Sequence, residues 1–480
     1  MTPSILTTRP RFAMTAGALA RRLAALLPAL LLAGCAVGLD SSVPSAPALA
    51  DKDWSAQFAP AAAAAQRPAW WSLLQDPQLD ALIAAALDHN LDIAQARARW
   101  RASRALVDER QQDRLPAVTA QARHTRSGSQ FTAPDGTLDH AVTENWRLGL
   151  DAAWEIDLFG RLEQLAASAQ ARSQAAQDRL ELMRQAIAAE LARQYVQAQG
   201  LQRRLTLAQE DVRSWEETRR LVRAGVALGR ELPENLDNVQ AGLERAQAQI
   251  PRLRSDLELA RLRMQVLGGG SASPVQAPLP EPAAPLAASL PLGDVNAMLL
   301  NRPDVRAARQ ELLARSHEVA AATAELYPRV DLAGFIGFFA LRGSSLGHAA
   351  RAFELSPGVQ WPALRLGHAR ARLRGMQSLS DESRLHYQQV VLQAQEEVQG
   401  ALHRLTQHQQ SLLSLTRAAA HLQAAHDRAL ARYRAGAGQY LQVLENQRSL
   451  NQTRQELAQA ETGSYLNVIA LYQALGWGAP

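Results

Sequence analysis

The sequence of 480 residues contains one lysine and one cysteine, and these scarcities exclude several kinds of chemistry. Lys52 is the only lysine, which rules out a Walker A phosphate loop and a lysine Schiff base. Cys35 is the only cysteine, so no disulfide forms within the chain. Two histidine pairs in helical segments are five positions apart, whereas a metal-binding pair on a helix prefers three or four. These absences argue against a redox, metal-dependent or phosphate-transfer site.

The chain also lacks a clustered positive charge and a long apolar run. The formal net charge is +5, but four arginines precede Cys35 without any acid, which leaves +1 (5 − 4) for the rest. The remaining arginines interleave with Glu and Gln on helical patterns, so the composition predicts no nucleic-acid partner. Gly343–Gly347 matches Gly-x-Ser-x-Gly, but it lies between two predicted strands and not between a strand and a helix. We therefore predict that the protein is not an enzyme.

The first 34 residues have the pattern of a secretory signal. Arg21 and Arg22 precede an apolar run from Leu23 to Ala33, which is about half the length of a membrane-spanning helix and ends in small residues. The run closes with Leu-Ala-Gly-Cys35, which resembles the lipobox of bacterial lipoproteins. The resemblance implies a covalent lipid on Cys35, the only expected prosthetic group. Alanine rather than aspartate at position 36 implies delivery to the outer membrane. Residues 35–66, rich in Ser, Pro and Ala, are predicted to be an extended tether.

The rest of the chain is an internal duplication. Arg223-Ala-Gly225 recurs at 434–436, an offset of 211 (434 − 223), while Asp92 and Asp304 are 212 apart (304 − 92). We therefore predict a first repeat over 67–267, a linker over 268–293, and a second repeat over 294–480. Each repeat should end in two long antiparallel helices joined by a tight turn, at about 223–236 and 433–445. Apolar residues at 3-4 spacing along these helices indicate coiled-coil packing.

Between the helices the hydrophobic period changes from 3.6 to 2, which is typical of strands. The predicted strands are about 117–126 and 145–155 in the first repeat, and 329–340 and 353–361 in the second. Each has one apolar and one polar face, as expected of strands between lipid and a water-filled lumen. The segments 127–144 and 343–350 are expected to be loops. Four strands cannot close a barrel, so several chains must share one. A soluble sheet packed on helices is the alternative.

The order of these features resembles the TolC-type outer-membrane efflux proteins, and most closely their OprM/NodT-like lipoprotein branch. The resemblance rests on Trp70-Trp71, Asp76-Pro-x-Leu79, Asn90-x-Asp-Ile93 and the helix that ends at Leu115-Pro116. It covers nearly all of the chain after the signal. It implies a mainly α protein with a membrane β-barrel: a homotrimer with four strands per chain in one shared barrel, and a long α-helical periplasmic barrel.

The resemblance also implies a function. The chain would be the exit duct of a tripartite efflux system, in the outer membrane and extending into the periplasm, with a periplasmic adaptor, an inner-membrane pump and lipid as partners. The alternatives are the outer-membrane component of a type I secretion system and, less consistent with paired strands, a periplasmic adaptor lipoprotein. A soluble coiled-coil scaffold would leave the signal and the strands without a role.

Five residues resemble the family's gating turns. Tyr433, Gly436 and Glu445 match one turn, and Gly225 with Asp237 matches its partner. The resemblance implies that the Tyr433 hydroxyl bonds to Asp237 on the neighbouring hairpin, and that Glu445, repeated by symmetry, makes the constriction attractive to cations. The alternative is that Asp237 and Glu445 are solvated acids near a turn.

Overall fold

The computed structural model describes residues 69–270, 295–341 and 347–477. The predicted signal, the tether with Cys35, most of the linker and part of the loop over 343–350 lie outside the described residues. Within them, no helix is both long and apolar enough to cross a membrane.

The described residues form eight α-helices and four strands. In chain order these are α1 (Pro77–His89), α2 (Leu91–Gln112), β1 (Ala117–Thr132), β2 (Leu138–Ile156), α3 (Arg161–Ala227), α4 (Pro233–Leu267), α5 (Val295–Leu300), α6 (Pro303–Ala324), β3 (Arg329–Leu341), β4 (Arg351–Gln360), α7 (Leu366–Arg434) and α8 (Tyr440–Ala474).

Matching helices of the two repeats have equal or nearly equal lengths. Helices α2 and α6 each have 22 residues and start 212 positions apart (303 − 91). Helices α4 and α8 each have 35 residues and start 207 positions apart (440 − 233). The offset falls because the first β-hairpin is longer than the second. The Arg-Ala-Gly residues at 223–225 and 434–436 match in sequence at an offset of 211, but the helices that follow the turns are 207 positions apart. The prediction that these residues occupy equivalent places in the two turns is therefore wrong.

The four strands form one antiparallel sheet in the order β1-β2-β3-β4. Strands β1 and β2 stay paired up to Thr132 and Leu138, so the predicted loop over 127–144 is only the turn between those residues. Gly136, with φ of 83°, and the Asp135 carboxylate, which accepts from the Thr137 amide, form this turn. The sequence pattern missed the extension because its residues do not alternate between apolar and polar: Phe131, Leu138 and Val142 are scattered among polar residues. In the second hairpin, β4 begins at Arg351, two residues before the predicted start.

The chain divides into two compact units. One holds the sheet with Ala105–Gln170 and Leu313–Asp381. The described part of the other contains the remaining helical segments and a continuous apolar core. In this helical unit Trp70 stacks on Tyr472 with ring centroids 6.1 Å apart, and Trp477 meets the same tyrosine edge-on at 5.1 Å.

Polar side chains fix the ends of the helices in the helical unit. Asp76 caps α1 by accepting from the amides of Gln78 and Leu79, and its other carboxylate oxygen accepts from Tyr195 at 2.7 Å. Buried Asn90 caps α2 in the same way and donates to the Leu267 carbonyl at 2.9 Å, which joins the start of α2 to the end of α4. The Asp-Pro and Asn-x-Asp-Ile patterns are thus capping motifs.

Arg302 ties three segments of the second repeat together. Its guanidinium is buried and donates to Asp304 and Glu397, both at 2.7 Å, and to the Ala474 carbonyl at 2.5 Å. The two carboxylates raise the pKa of Arg302 in spite of its desolvation. These bonds connect the start of α6 to α7 and to the end of α8.

We expect Arg302→Ala to destabilise the helical unit by about 3 kcal/mol, because removing one partner of a buried ion pair leaves the others unsatisfied. The measurement is thermal denaturation of the detergent-solubilised protein, followed by helical circular dichroism. Arg309→Ala is the matched control, since Arg309 is exposed on α6, the helix that follows Arg302. Equal melting temperatures for the two variants would contradict the role of Arg302.

Candidate functional site

One face of the sheet is apolar and exposed. The strand register places directly paired residues on the same face, so Leu148 lies between Ala122 and Phe338, and Leu150 lies between Ala120 and Ile336. The face continues on β4 through exposed apolar side chains, namely Phe353, Leu355 and Val359. The predicted two-faced pattern is confirmed for β1, β2 and β4, whereas β3 also has apolar residues on the opposite face, namely Phe335, Phe339 and Leu341. No other described segment of the chain covers the exposed apolar face.

Three tryptophans lie along this apolar face, two at one end of the sheet and one further along β2. Trp154 and Trp361 occupy equivalent places in β2 and just after β4, and their indole N–H groups donate to the carbonyls of Arg114 at 3.0 Å and Leu326 at 3.1 Å. Trp146, eight residues from Trp154, stacks on His124 with ring centroids 4.1 Å apart. Eight strand residues extend about 27 Å along the strand, which at a strand tilt of about 40° covers about 20 Å of the apolar band of about 25 Å in outer-membrane barrels.

The opposite face carries charge of both signs around a buried aromatic ring. The Arg147 guanidinium lies 3.8 Å from the centroid of Phe335, bonds to Asp151 at 2.8 Å and comes within 4.0 Å of Glu354. Phe335 covers Gly149, where a Cβ atom would lie 2.8 Å from the ring. The glycine is therefore required for the ring to lie flat on the sheet. This face is suited to contact with water.

In the helical unit, the two tight turns that end the long helices share one backbone conformation. Helix α3 ends at Ala227 and α7 ends at Arg434, and two residues later Gly229 and Gly436 adopt φ of 67° and 71°. Only glycine takes this left-handed conformation without strain. Gly436 thus has the predicted turn position. Gly225 does not, because it lies inside α3, where a Cβ atom would be 2.7 Å from Cγ of Glu231.

A tyrosine and a glutamate join the two turns. The Tyr433 hydroxyl donates to Oε1 of Glu231 at 3.2 Å, and Oε2 of Glu231 accepts from Asn235 at 2.8 Å. Desolvation, followed by the charge of Glu231 and this hydrogen bond, raises the pKa of Tyr433. Within one chain the acceptor is therefore Glu231 and not the predicted Asp237. Asp237 is exposed in the second turn of α4, whereas Glu231 lies in the turn beside Tyr433.

The ring of Tyr440 packs against Tyr433, with centroids 5.5 Å apart. Its hydroxyl is buried and has no hydrogen-bond partner among the described residues. Burial, followed by the charges of Tyr433 and Glu231, raises the pKa of Tyr440. Glu445 is exposed on α8, and three exposed leucines lie around the turns: Leu228, Leu232 and Leu441. Of the five predicted gate residues, only Tyr433 makes a polar side-chain contact between the turns.

A polar seam between α3 and α8 was not predicted. Gln447 is buried, accepts from Thr218 at 3.3 Å and donates to Ser214 at 2.8 Å, and one turn further Asn451 donates to Asp211. Polar residues at 3-4 spacing on both helices were the available signal, but the predicted seams rest almost entirely on apolar residues. All of these residues except Thr218 line a cavity of about 700 Å³.

Asp211 is the titratable group of this seam. Burial raises its pKa to about 6, although the hydrogen bonds from Trp215 and Asn451 oppose the shift. No group of three or more His, Cys, Asp and Glu residues is placed to hold a metal ion anywhere in the described parts of the chain. Protonation of Asp211 would therefore change the polar contact between α3 and α8.

Comparison with known proteins gives consistent matches along the chain. The family model of outer membrane efflux proteins matches residues 82–270 and 295–477. The cation efflux system protein CusC of Escherichia coli O157:H7 is 27% identical over 452 residues, covering 94% of this chain and 97% of that protein. The probable outer membrane lipoprotein SilC of Salmonella typhimurium is 26% identical over 454 residues, covering 93% and 96%. The solved outer-membrane channel OprN matches with a TM-score of 0.86 and 36% identity, covering 92% of this chain and 99% of that one.

We expect Asp211→Asn to stabilise the protein at pH 7.5 and to have little effect near pH 4. A buried carboxyl with a pKa of about 6, against the ordinary 3.8, costs stability as pH rises from 3.8 to 6. The full cost is at most about 3 kcal/mol, and asparagine can still accept from Asn451. The measurement is the melting temperature of both proteins across this range. A difference that does not change with pH would contradict the assignment.

Proposed function

The chain belongs to the outer membrane efflux protein family, and from this premise we propose that three copies form the exit duct of a tripartite efflux system. In this assembly a periplasmic adaptor and an inner-membrane pump deliver substrates to the duct, which passes them to the cell exterior. The observation that carries the proposal is the two-faced sheet, with an apolar band that includes tryptophans on one side and charged residues on the other.

The open sheet supports the assembly of several copies. Strands β1 and β4 are its two edges, and neither has a partner on its outer side among the described residues. In hydrocarbon an unpaired edge leaves backbone N–H and C=O groups without hydrogen bonds, at a cost of several kcal/mol for each group. Pairing of β1 with β4 of the next copy removes both edges. Three copies then give a closed barrel of twelve strands.

The polar face supports a water-filled lumen with little selectivity. Charges of both signs meet within the sheet, since Arg147 lies between Asp151 and Glu354. Exposed Phe339 and Leu341 lie on the same face. A lumen wall of this mixed kind offers a passing solute no single sign of charge. Substrate selection therefore belongs to the pump and not to the duct.

The paired helical turns form the periplasmic gate, closed at rest and opened by the adaptor. The hydrogen bond from Tyr433 to Glu231 supports this role, because it ties the turn of the second hairpin to the turn of the first. The tie involves a charged acceptor, which makes it stronger than a neutral hydrogen bond. Exposed Glu445, repeated in each copy, gives the opening its preference for cations.

The duct is also anchored by a lipid on Cys35. The support is the lipobox-like Leu-Ala-Gly-Cys35 and the similarity to SilC, which is named as a probable outer membrane lipoprotein. The sheet, and not this lipid, retains the protein in the membrane.

We expect Glu231→Gln combined with Tyr433→Phe to raise the resting conductance of the purified assembly in planar bilayers. A hydrogen bond to a charged group contributes about 1.5 kcal/mol, so the open fraction should rise about tenfold. Tyr440→Phe is the matched control, because the Tyr440 hydroxyl has no partner to lose among the described residues. Glu445→Gln should lower the cation preference without changing the resting conductance.

The same measurement separates the two candidate acceptors of Tyr433. If Asp237→Ala raises the conductance and Glu231→Gln does not, the tie forms between neighbouring chains, as the family resemblance implied. If neither variant changes it, the turns are a docking surface and the closure lies elsewhere.

We expect Cys35→Ala, with a signal retained for export, to abolish incorporation of labelled fatty acid while the protein still assembles in the outer membrane. Membrane fractionation and gel mobility of unboiled samples measure the two effects separately. Complete release of the variant from the membrane would show that the lipid and not the sheet holds the protein there.

A further inference from the structure

We propose that the second repeat carries a binding surface for anionic phospholipid headgroups at the junction of β4 and α7. Arg365, Arg370 and Arg374 supply the charge, and Trp361 and Leu364 supply apolar contact. The inference rests on the proposal that the sheet spans the outer membrane, and it is independent of the gate.

The junction has an uncompensated positive charge. Residues 361–380 include four arginines and no acid. Of these, Arg372 is paired with Glu325 at 3.3 Å. Arg365, Arg370 and Arg374 are exposed and have no ion-pair partner among the described residues.

The first repeat shows that the fold does not require this charge. Residues 154–173, which start at the equivalent tryptophan, contain two arginines and three acids. There Arg161 is paired with Glu155 at 2.7 Å, and Asp157 caps the following helix by accepting from the Glu163 amide. At the offset of 207, Leu364 stands in place of Asp157 and Arg370 in place of Glu163. The second junction therefore has the reversed charge on the same backbone plan.

Apolar side chains accompany the arginines in the arrangement of an interfacial anchor. Leu364 is 101% exposed on the short 3-10 turn Ala363–Arg365, and Trp361 is 54% exposed. Both follow directly after Val359, which belongs to the exposed apolar face of the sheet. Exposed Trp and Leu beside arginines are typical of segments that lie in the headgroup layer. The surface thus continues the lipid-facing side of the sheet toward the periplasm.

The arginines are spaced to reach that layer from one helix face. Arg370 and Arg374 are four positions apart on α7, and they lie about 6 and 12 Å along the helix from Leu366. Two like charges at this spacing repel each other unless an anion lies between them. Arginine side chains extend toward phosphate over several ångströms while their stems contact apolar groups. A phosphodiester headgroup in the periplasmic leaflet is within reach of both side chains and supplies the anion between them.

The test is native mass spectrometry of the purified full-length assembly, titrated with phosphatidylglycerol or with phosphatidylethanolamine. An arginine near an anionic surface contributes about 1 kcal/mol, which is about fivefold in affinity. We expect the triple variant R365Q/R370Q/R374Q to weaken phosphatidylglycerol binding about 100-fold and to leave phosphatidylethanolamine binding unchanged. The matched control is R97Q/R101Q/R104Q, which removes the same charge from exposed arginines of α2. Leu364→Ser should weaken the binding of both lipids.

Three results would overturn the inference: equal binding by the triple variant and the wild type, an equal loss in the control, or a preference of the wild type for lipopolysaccharide. Loss of the trimer in the triple variant would also overturn it, since the arginines would then pair with acids of a neighbouring copy. Single variants, each at an exposed position, give the same comparison if the triple variant does not fold. Failure of the wild-type protein to insert into vesicles would instead contradict the proposed function.

Discussion

Every backbone N–H and C=O group of a strand in hydrocarbon must be hydrogen-bonded, and this constraint governs the sheet unit. Within one chain the constraint is met between β1 and β2, β2 and β3, and β3 and β4. It is not met at the outer sides of β1 and β4 by any described residue. These two edges favour an assembly of several copies, and the two-faced side-chain pattern suits a closed wall with lipid on one side and water on the other.

In the helical unit, the duplication has kept the backbone plan while the polar contacts have diverged. Helices α2 and α6 have the same length and the same 212-position offset, but their starts are fixed differently. Asn90 caps α2 and bonds to the end of α4, whereas Arg302 uses a buried guanidinium to reach Asp304, Glu397 and the end of α8. The repeats thus obtain the same connection, from the start of a short helix to the end of a long one, with different chemistry.

The same divergence separates residues that maintain the fold from residues that are free to bind a partner. At the β2–α3 junction the charges of Glu155, Asp157 and Arg161 are used within the chain. At the β4–α7 junction three arginines have no such use among the described residues. The backbone of the two junctions is shared, so a charge that is present at one junction and absent from the other is not required by the fold.

Much of the sheet and of the helix plan could be predicted from the sequence, because each depends on local period and on capping residues. The change of period from 3.6 to 2 located all four strands, and Leu115-Pro116 located the end of α2. The prediction failed where apolar and polar residues do not alternate, as in the ends of β1 and β2 that face each other. It also misplaced the turn glycine, since Gly225 and Gly436 share a sequence match but only Gly229 and Gly436 share a conformation.

The sequence by itself determined the duplication, the alternation of the strands and the 3-4 seams of the long helices, because these follow from periods within one segment. Only the tertiary structure decided which distant side chains meet. Tyr433 bonds to Glu231 rather than Asp237, and Asn451 meets Asp211 across 240 positions. The choice depends on the relative rotation and axial shift of two helices, and a difference of one residue turns a side chain by about 100° around the axis. No pattern within either helix contains that information.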